Sequence, residues 1–350
     1  WIWRQTDTAI FSSHDKVASN RASSITSSDV FHAAIFFSLP NFVMKTYPSS
    51  SQIGALFAIG AAFLFSTKAI FIKQAYALSP LVDGTVLVAL RMASALPFFL
   101  VIAWLSRHQK KQLQPLDWLI LWATGLLGYY FSSWLDFMGL MFISASLERI
   151  ILFLYPTLTV LASSVLFKQR LTPKMLIALL LSYGGTVIVM LQEQANSPHN
   201  EHFWLGASLV FASAVCFAAY LLMTPRLIRQ FGSWHFNALA LTIACLGTLL
   251  HFFVATAQPL QLLAQLPTQT FYYGLMLGFF VTVLPTIFMA LSIQRLGPAQ
   301  SAMIASIGPI LTIILATLFL GEYMNAMQWL GCALNIMGVL MITLGKKSTT

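Results

Sequence analysis

Apolar stretches of roughly 20 residues follow one another from about residue 53 to residue 344, separated by short polar segments. Each is long enough for a helix rising ~1.5 Å per residue to cross the ~30 Å hydrocarbon layer of a bilayer. The pattern predicts spans at 53–73, 82–105, 117–138, 143–166 and 173–192, then at 203–224, 234–256, 270–292, 299–320 and 326–344. An all-α membrane protein of ten transmembrane helices is therefore expected. Residues 1–43 break the pattern: they are Ser-rich, begin with Trp1 and hold only a short apolar run near Phe31. They are expected to be a disordered or non-native extension, with translation starting at Met44.

The polar segments alternate in charge. With the amino terminus inside, the inner segments carry Lys45, then Arg107, Lys110 and Lys111, then Lys168, Arg170 and Lys174, then Arg226 and Arg229, then Arg295, then Lys346 and Lys347. The outer loops hold Glu193 and Glu201 at 192–202 and no charge at 257–269. This one-sided bias predicts both termini on the cytoplasmic side of a cell membrane. Composition agrees: 58% of the 350 residues are hydrophobic and 8% charged, against about a quarter charged in a soluble domain. The net charge of +9 is a topology signal, with no basic motif to suggest nucleic acid. Cys216, Cys245 and Cys332 fall inside apolar spans without metal-ligand spacing and read as packing residues.

The halves repeat. Pro156-Thr157-Leu158-Thr159 matches Pro309-Ile310-Leu311-Thr312 at an offset of 153, which also brings Gly125 onto Gly278 and Gly185 onto Gly338. An offset one shorter aligns Gly54-Ala55 with Gly206-Ala207. Five spans per repeat, 53–192 and 203–346, force the halves to cross the membrane in opposite senses, the inverted-repeat design of many secondary transporters.

These residues carry a family resemblance over about residues 50–346. Ser144-Ala145-Ser146, Tyr155-Pro156, Gly297-Pro298-Ala299, Gly308-Pro309 and Gly321-Glu322 resemble the EamA group of the drug/metabolite transporter superfamily. Ser66-Thr67-Lys68-Ala69, Ala89-Leu90-Arg91-Met92 and Leu147-Glu148-Arg149 look like a bacterial subgroup of it. The resemblance implies efflux of amino acids or other metabolites. One departure is Lys168-Gln169-Arg170, where the second half has Gly321-Glu322-Tyr323; Gln169 replaces an acid the family often carries.

A charge at mid-bilayer depth costs about 2.5–3.5 kcal/mol on insertion scales and calls for a partner or a wet cavity. Five residues qualify: Lys68, Arg91, Asp136, Glu148 and Arg149. They come from the first four spans, with Asp136 close to the outer end of span three and cheaply solvated there. Lys68 and Arg91 suit a carboxylate or phosphate, Arg91 best because its planar fork matches a carboxylate. Glu148 is the acceptor for an amino group or a proton, and is expected to meet Lys68 or Arg91; Arg149 is expected to meet Asp136. The competing reading makes the five a set of locking ion pairs without solute contact. Pro156 and Pro309 read as mid-span hinges that free carbonyls. Tyr129, Tyr130 and Trp134 either line the cavity or pack, and Gly274 and Gly278 form a GxxxG pattern.

No HExxH, GxSxG or GxxxxGK[ST] pattern occurs, so neither an intramembrane enzyme nor an ATP-driven pump is expected. No cofactor or metal is expected. The expected partners are a small-molecule solute, the lipid bilayer and protons, with a homodimer left open. The sequence therefore reads as a secondary transporter, an exporter of a small polar metabolite such as an amino acid or related carboxylate, working by alternating access. The alternatives are a multidrug or nucleotide-sugar carrier of the same fold, or a non-transporting sensor.

Overall fold

Local chemistry starts the helices where the hydropathy pattern places them. Asp83, in extended backbone, accepts the Val86 amide at 2.8 Å and opens α2, Gly84–Leu105. Gln114 and Asp117 form a capping box ahead of Pro115, which starts α3 over 115–140. Ser144 caps α4, Ala145–Leu166, and Thr172 caps α5, Pro173–Asn196, with Pro173 at the first helical position. With α1, Ser51–Tyr76, these make the first half. The second half holds α6, Phe203–Phe231, α7, Ser233–Ala255, α8, Thr268–Leu296, α9, which runs as Pro298–Ala305 and Gly308–Leu320, and α10, Ala326–Leu344. A short helix, Pro259–Gln265, joins α7 to α8. The computed structural model describes residues 51–107, 114–166, 168 and 171–344. The expectations for residues 1–43, Gln169 and the C-terminal lysines lie outside these described residues.

The expected spans are present, with one clear difference. Span six was expected to end at 224, before Pro225, but α6 runs on to Phe231 and stops at Gly232, whose φ is +75°. Arg226, one residue past the proline, donates to Asp117 Oδ1 at 3.0 and 3.1 Å. That pair fixes α6 against α3, so tertiary contact outweighs the local proline penalty. Among the described residues, nine helices are long and apolar enough to cross a membrane. The tenth, α3, is equally long but carries Tyr129, Tyr130, Ser132, Ser133 and Trp134 in its middle, which lower its hydropathy for a reason its neighbours make clear below. Large side chains in helix interiors face outward, Leu180 at 74% and Leu246 at 48% exposure, as a lipid-facing surface requires.

The main packing pairs are symmetric under exchange of halves. α5 packs on α10, α2 on α7 and α4 on α9; α1 packs on α8 as α6 does on α3, and α1 on α9 as α6 does on α4. Glycine allows the closest of these approaches. A Cβ on Gly185 would strike Gly331 O and Asn335 N, and one on Gly338 would strike the equivalent Ala178 O and Ser182 N. In the same way Gly278 brings α8 onto Arg91 O and Ser94 of α2, so the GxxxG pattern is a true close contact. The irregularities also repeat: α3 widens to a π-helix at Leu126–Phe131, directly after Gly125, and α8 does so at Phe279–Val283, directly after Gly278. The chain is thus two five-helix repeats of opposite sense.

Pro156 and Pro309 do not kink helix interiors. α4 breaks at Phe153 and Leu154 and α9 at Ser306 and Ile307, so each proline sits at the second position of a restarted helix. The missing amide falls where no intrahelical bond is due, and the break lies just ahead of the ring. The two ends of the bundle differ in charge. Arg107, Lys174, Arg226, Arg229 and Arg295 mark a basic end, and Asp83, Glu193, Glu201 and Glu322 an acidic one.

Candidate functional site: a charged cavity between the repeats

The irregular points of four helices meet in mid-bundle. α1 is interrupted at Thr67, so Lys68 opens its second half. Ser66 Oγ donates to Gly308 O at 3.0 Å, tying that break to the break in α9. The π-turn of α3 precedes Ser132 and Ser133, and that of α8 contains Thr282. Single π-turns of this kind frequently accompany functional sites because they redirect side chains.

Lys68 Nζ lies 2.6 Å from Asp136 Oδ2 and 2.7 Å from Glu148 Oε1. Asp136 is 3% exposed and Glu148 fully buried, while Asp136 Oδ1 and Glu148 Oε2 have no hydrogen-bond partner. One ammonium thus compensates two carboxylates out of water, an arrangement that costs several kcal/mol in desolvation unless the contacts are close. Here they are close.

The two guanidiniums are differently placed. Arg91 Nε donates to Thr282 Oγ1 at 2.8 Å and Nη1 to Ser133 Oγ at 3.3 Å, with the group 5.4 Å from the Phe137 ring centre. Arg149 Nε donates to Thr312 Oγ1 at 3.0 Å and Nη2 to Phe65 O at 2.6 Å. Every one of these acceptors is neutral. Two of them, Thr282 and Thr312, come from the second repeat, which supplies hydroxyls where the first supplies charge.

The pairing differs from the sequence expectation. Arg149 does not meet Asp136; adjacent to Glu148 but about 100° round the helix, it faces α9 and the break in α1. Asp136 is not solvated near an outer end but buried on Lys68. Glu148 does meet Lys68.

A cavity of about 370 Å³ opens beside this set, within the usual range for small-molecule sites. Lys68, Arg91, Asp136, Arg149, Pro156 and Pro309 line it; Glu148 lies behind its wall. From the charged set it continues past Tyr155, Phe217, Tyr220 and Thr224 to Ile228 and Phe236, at the basic end of α6 and α7, and past Ala302 at the basic start of α9. It therefore extends toward the basic end. Toward the acidic end, Tyr76 Oη donates to Phe137 O at 2.7 Å and Asn200 Nδ2 to Phe142 O at 2.7 Å, closing the helices together.

The EamA-like transporter family profile matches residues 52–191 and again residues 204–344. The chain belongs to the EamA-like transporter family. It is 28% identical over 283 residues to the uncharacterized transporter YcbK of Bacillus subtilis (strain 168), covering 80% of this chain and 89% of that one. It is 23% identical over 330 residues to the uncharacterized transporter sll1319 of Synechocystis sp., covering 91% and 93%. A solved crystal structure superposes with a TM-score of 0.55 at 20% identity, over 85% of this chain and 99% of that one; it shows the fold alone. The molecule is a multi-pass membrane transporter, and an EamA-like chain of this kind acts on a small-molecule solute in a lipid bilayer.

Some residues that shape this EamA-like cavity carry no charge to draw attention. Thr282 and Thr312 are two of many Thr residues in apolar runs, and Thr282 reaches Arg91 because the π-turn rotates it there. Tyr129 lines the cavity, bonding Tyr220 Oη at 3.0 Å and Asn237 Oδ1 at 2.8 Å. Tyr130 and Trp134 instead pack edge-on against the His251 ring, at 5.7 and 5.2 Å. The polar middle of α3 is thus explained by the cavity and by these contacts.

Proposed function

We propose that the protein exports a small polar metabolite bearing a carboxylate, an amino acid or a related acid, by alternating access. The observation that carries this is the pair Arg91 and Arg149. Both line the cavity, and their hydrogen bonds go to neutral Thr, Ser and carbonyl oxygens while Asp136 and Glu148 are held by Lys68. A guanidinium whose hydrogen bonds all go to neutral oxygens, with Asp136 near Arg91 and Glu148 near Arg149 acting only through space, keeps its fork for an anionic group such as a carboxylate. Export is the direction the family resemblance implies, and it is supported by a cavity that extends toward the basic end, which the positive-inside rule assigns to the cytoplasm. Solute then loads from the cytoplasm, with both termini on that side of a cell membrane.

Protons are the proposed coupling ion. With both carboxylates ionised the Lys68 triad carries one net negative charge, and Asp136 Oδ1 and Glu148 Oε2 are free to take a proton. The test is flux of labelled amino acids and organic acids in proteoliposomes, with and without a proton gradient, for the wild type and Arg91→Ala. Carboxylate movement that Arg91→Ala abolishes in a folded protein supports the reading; movement only of cationic or uncharged solutes sinks it.

A further inference from the structure

The first half of α4, Ala145–Leu152, is held at its start by groups from elsewhere in the bundle. Ser144 N and Oγ donate to Glu193 at 3.0 and 2.8 Å. Ala145 N donates to Glu322 Oε1 at 2.8 Å, and Ser146 N and Oγ donate to Glu322 Oε2 at 3.0 and 2.7 Å. Glu193 belongs to the last turn of α5, and Glu322 follows the end of α9, where Gly321 at φ +67° turns the chain toward α4. Negative charge at a helix N-terminus and charge-assisted bonds both favour this clamp.

The same eight residues carry Glu148 onto Lys68 and Arg149 to the cavity wall, and behind Leu152 the helix is interrupted. A segment this short, bonded within itself and broken from its continuation, has the build of a unit that can shift as one. Its clamp and its cavity side chains would then move together.

In sequence, the equivalent start of α9 lacks the residues of this clamp. The 153-residue offset brings Ser144-Ala145-Ser146 onto Gly297-Pro298-Ala299, Glu322 onto Gln169 and Glu193 onto Lys346. Gly297 has no side chain to cap with and Pro298 no amide hydrogen to offer. Among the described residues the clamp stands at the acidic end, where the helices are tied together.

We propose that Glu193 and Glu322 are positioning residues of the transport cycle. Clamping Ala145–Leu152, they hold the acidic-end gate shut and Arg149 and Glu148 in register with the solute, and the cavity reaches the acidic side when the clamp releases. This rests on the alternating-access reading above. Lys73 is a cation within electrostatic reach of Glu322, Glu193 and Glu148.

The test uses the full chain in lipid nanodiscs and in sealed vesicles. Glu193→Gln/Glu322→Gln keeps shape and removes both charges, and weakening several charge-assisted bonds shifts a two-state gate by about tenfold or more. Hydrogen–deuterium exchange is followed on peptides covering 144–152 and 297–305. In a variant with the three native cysteines replaced by alanine, Ser133→Cys reports access of an impermeant maleimide from the acidic face. The expected result is roughly tenfold faster exchange at 144–152, unchanged exchange at 297–305, and faster labelling from the acidic face. Unchanged exchange at 144–152, faster exchange throughout the chain, or local loosening without faster labelling would each overturn the proposal. If the double variant does not fold, Glu322→Gln alone is read in the same way. Neither readout needs a transported solute, so a failed solute panel leaves this test intact.

Discussion

Replacing Lys68 with methionine keeps the volume of the side chain and removes the charge that two buried carboxylates share. Lys68 Nζ sits 2.6 and 2.7 Å from Asp136 and Glu148, which are 3% and 0% exposed. Removing one partner of a buried ion pair costs about 3–5 kcal/mol, because the remaining charge has no water to return to. Two carboxylates without a cation put Lys68→Met at the upper part of that range, limited by proton uptake on one or both of them. Neutralising them as well, in Lys68→Met/Asp136→Asn/Glu148→Gln, should recover most of the loss, since buried charges replaced together by neutral groups are often near break-even. Unfolding free energy is read by titration with sodium dodecyl sulfate in mixed micelles, and flux is measured on the same preparations. If the triad couples transport to protons, the triple variant is stable and inactive, or moves solute without response to a proton gradient. A loss below about 1 kcal/mol in Lys68→Met would refute the argument that the two carboxylates depend on this cation. Proton-coupled flux by the triple variant would make the triad a structural lock.

Arg91→Lys keeps the charge but loses the fork that engages Thr282 and Ser133; a charged hydrogen bond is worth about 1.5–3 kcal/mol, so KM for a carboxylate solute should rise by at least about tenfold in initial-rate flux assays. Gly338→Leu drives a side chain into Ala178 O and Ser182 of α5; overpacking of this kind costs about 1–3 kcal/mol or more, read as a lowered thermal midpoint by tryptophan fluorescence, and Gly185→Leu should behave alike at the equivalent contact.

The architecture was open to sequence reading because a bilayer leaves few choices. Span length, the one-sided placement of Arg and Lys, and the 153-residue offset are set by hydrocarbon thickness, insertion energetics and duplication, and each leaves a mark that one sequence shows. The same offset that paired Gly125 with Gly278 also pairs the two π-turns that follow them, though nothing in Leu126–Phe131 or Phe279–Val283 announces an extra residue per turn. The charged residues were identifiable because burial of charge is costly, but of their partners only the Lys68–Glu148 contact was. Depth along a helix does not say which way a side chain faces, so the expected contact of Arg149 with Asp136 is absent and Arg149 points to Thr312 and Phe65. Glu193 reads as a loop charge and Glu322 as part of the Gly321-Glu322 motif; only the approach of three helix ends turns them into acceptors for Ser144, Ala145 and Ser146.

The anion reading depends on what Arg91 lacks, which suggests supplying it. Thr282→Asp places a carboxylate where the hydroxyl now accepts from Arg91 Nε at 2.8 Å, in a position only 4% exposed. At an effective dielectric near 20, opposite charges about 4 Å apart attract by roughly 4 kcal/mol. A resident carboxylate of that strength competes with any carboxylate on the solute, and affinity should fall by two or more orders of magnitude. The substitution also forfeits the bond from Thr282 Oγ1 to Leu277 O, so Thr282→Asn, neutral and of similar size, controls for disturbance of the π-turn. Equal losses in the Asp and Asn variants would assign Thr282 to packing. Carboxylate flux in Thr282→Asp at the rate of the wild type would remove Arg91 from the binding site, because a guanidinium already paired with an internal acid has little left to offer a second one.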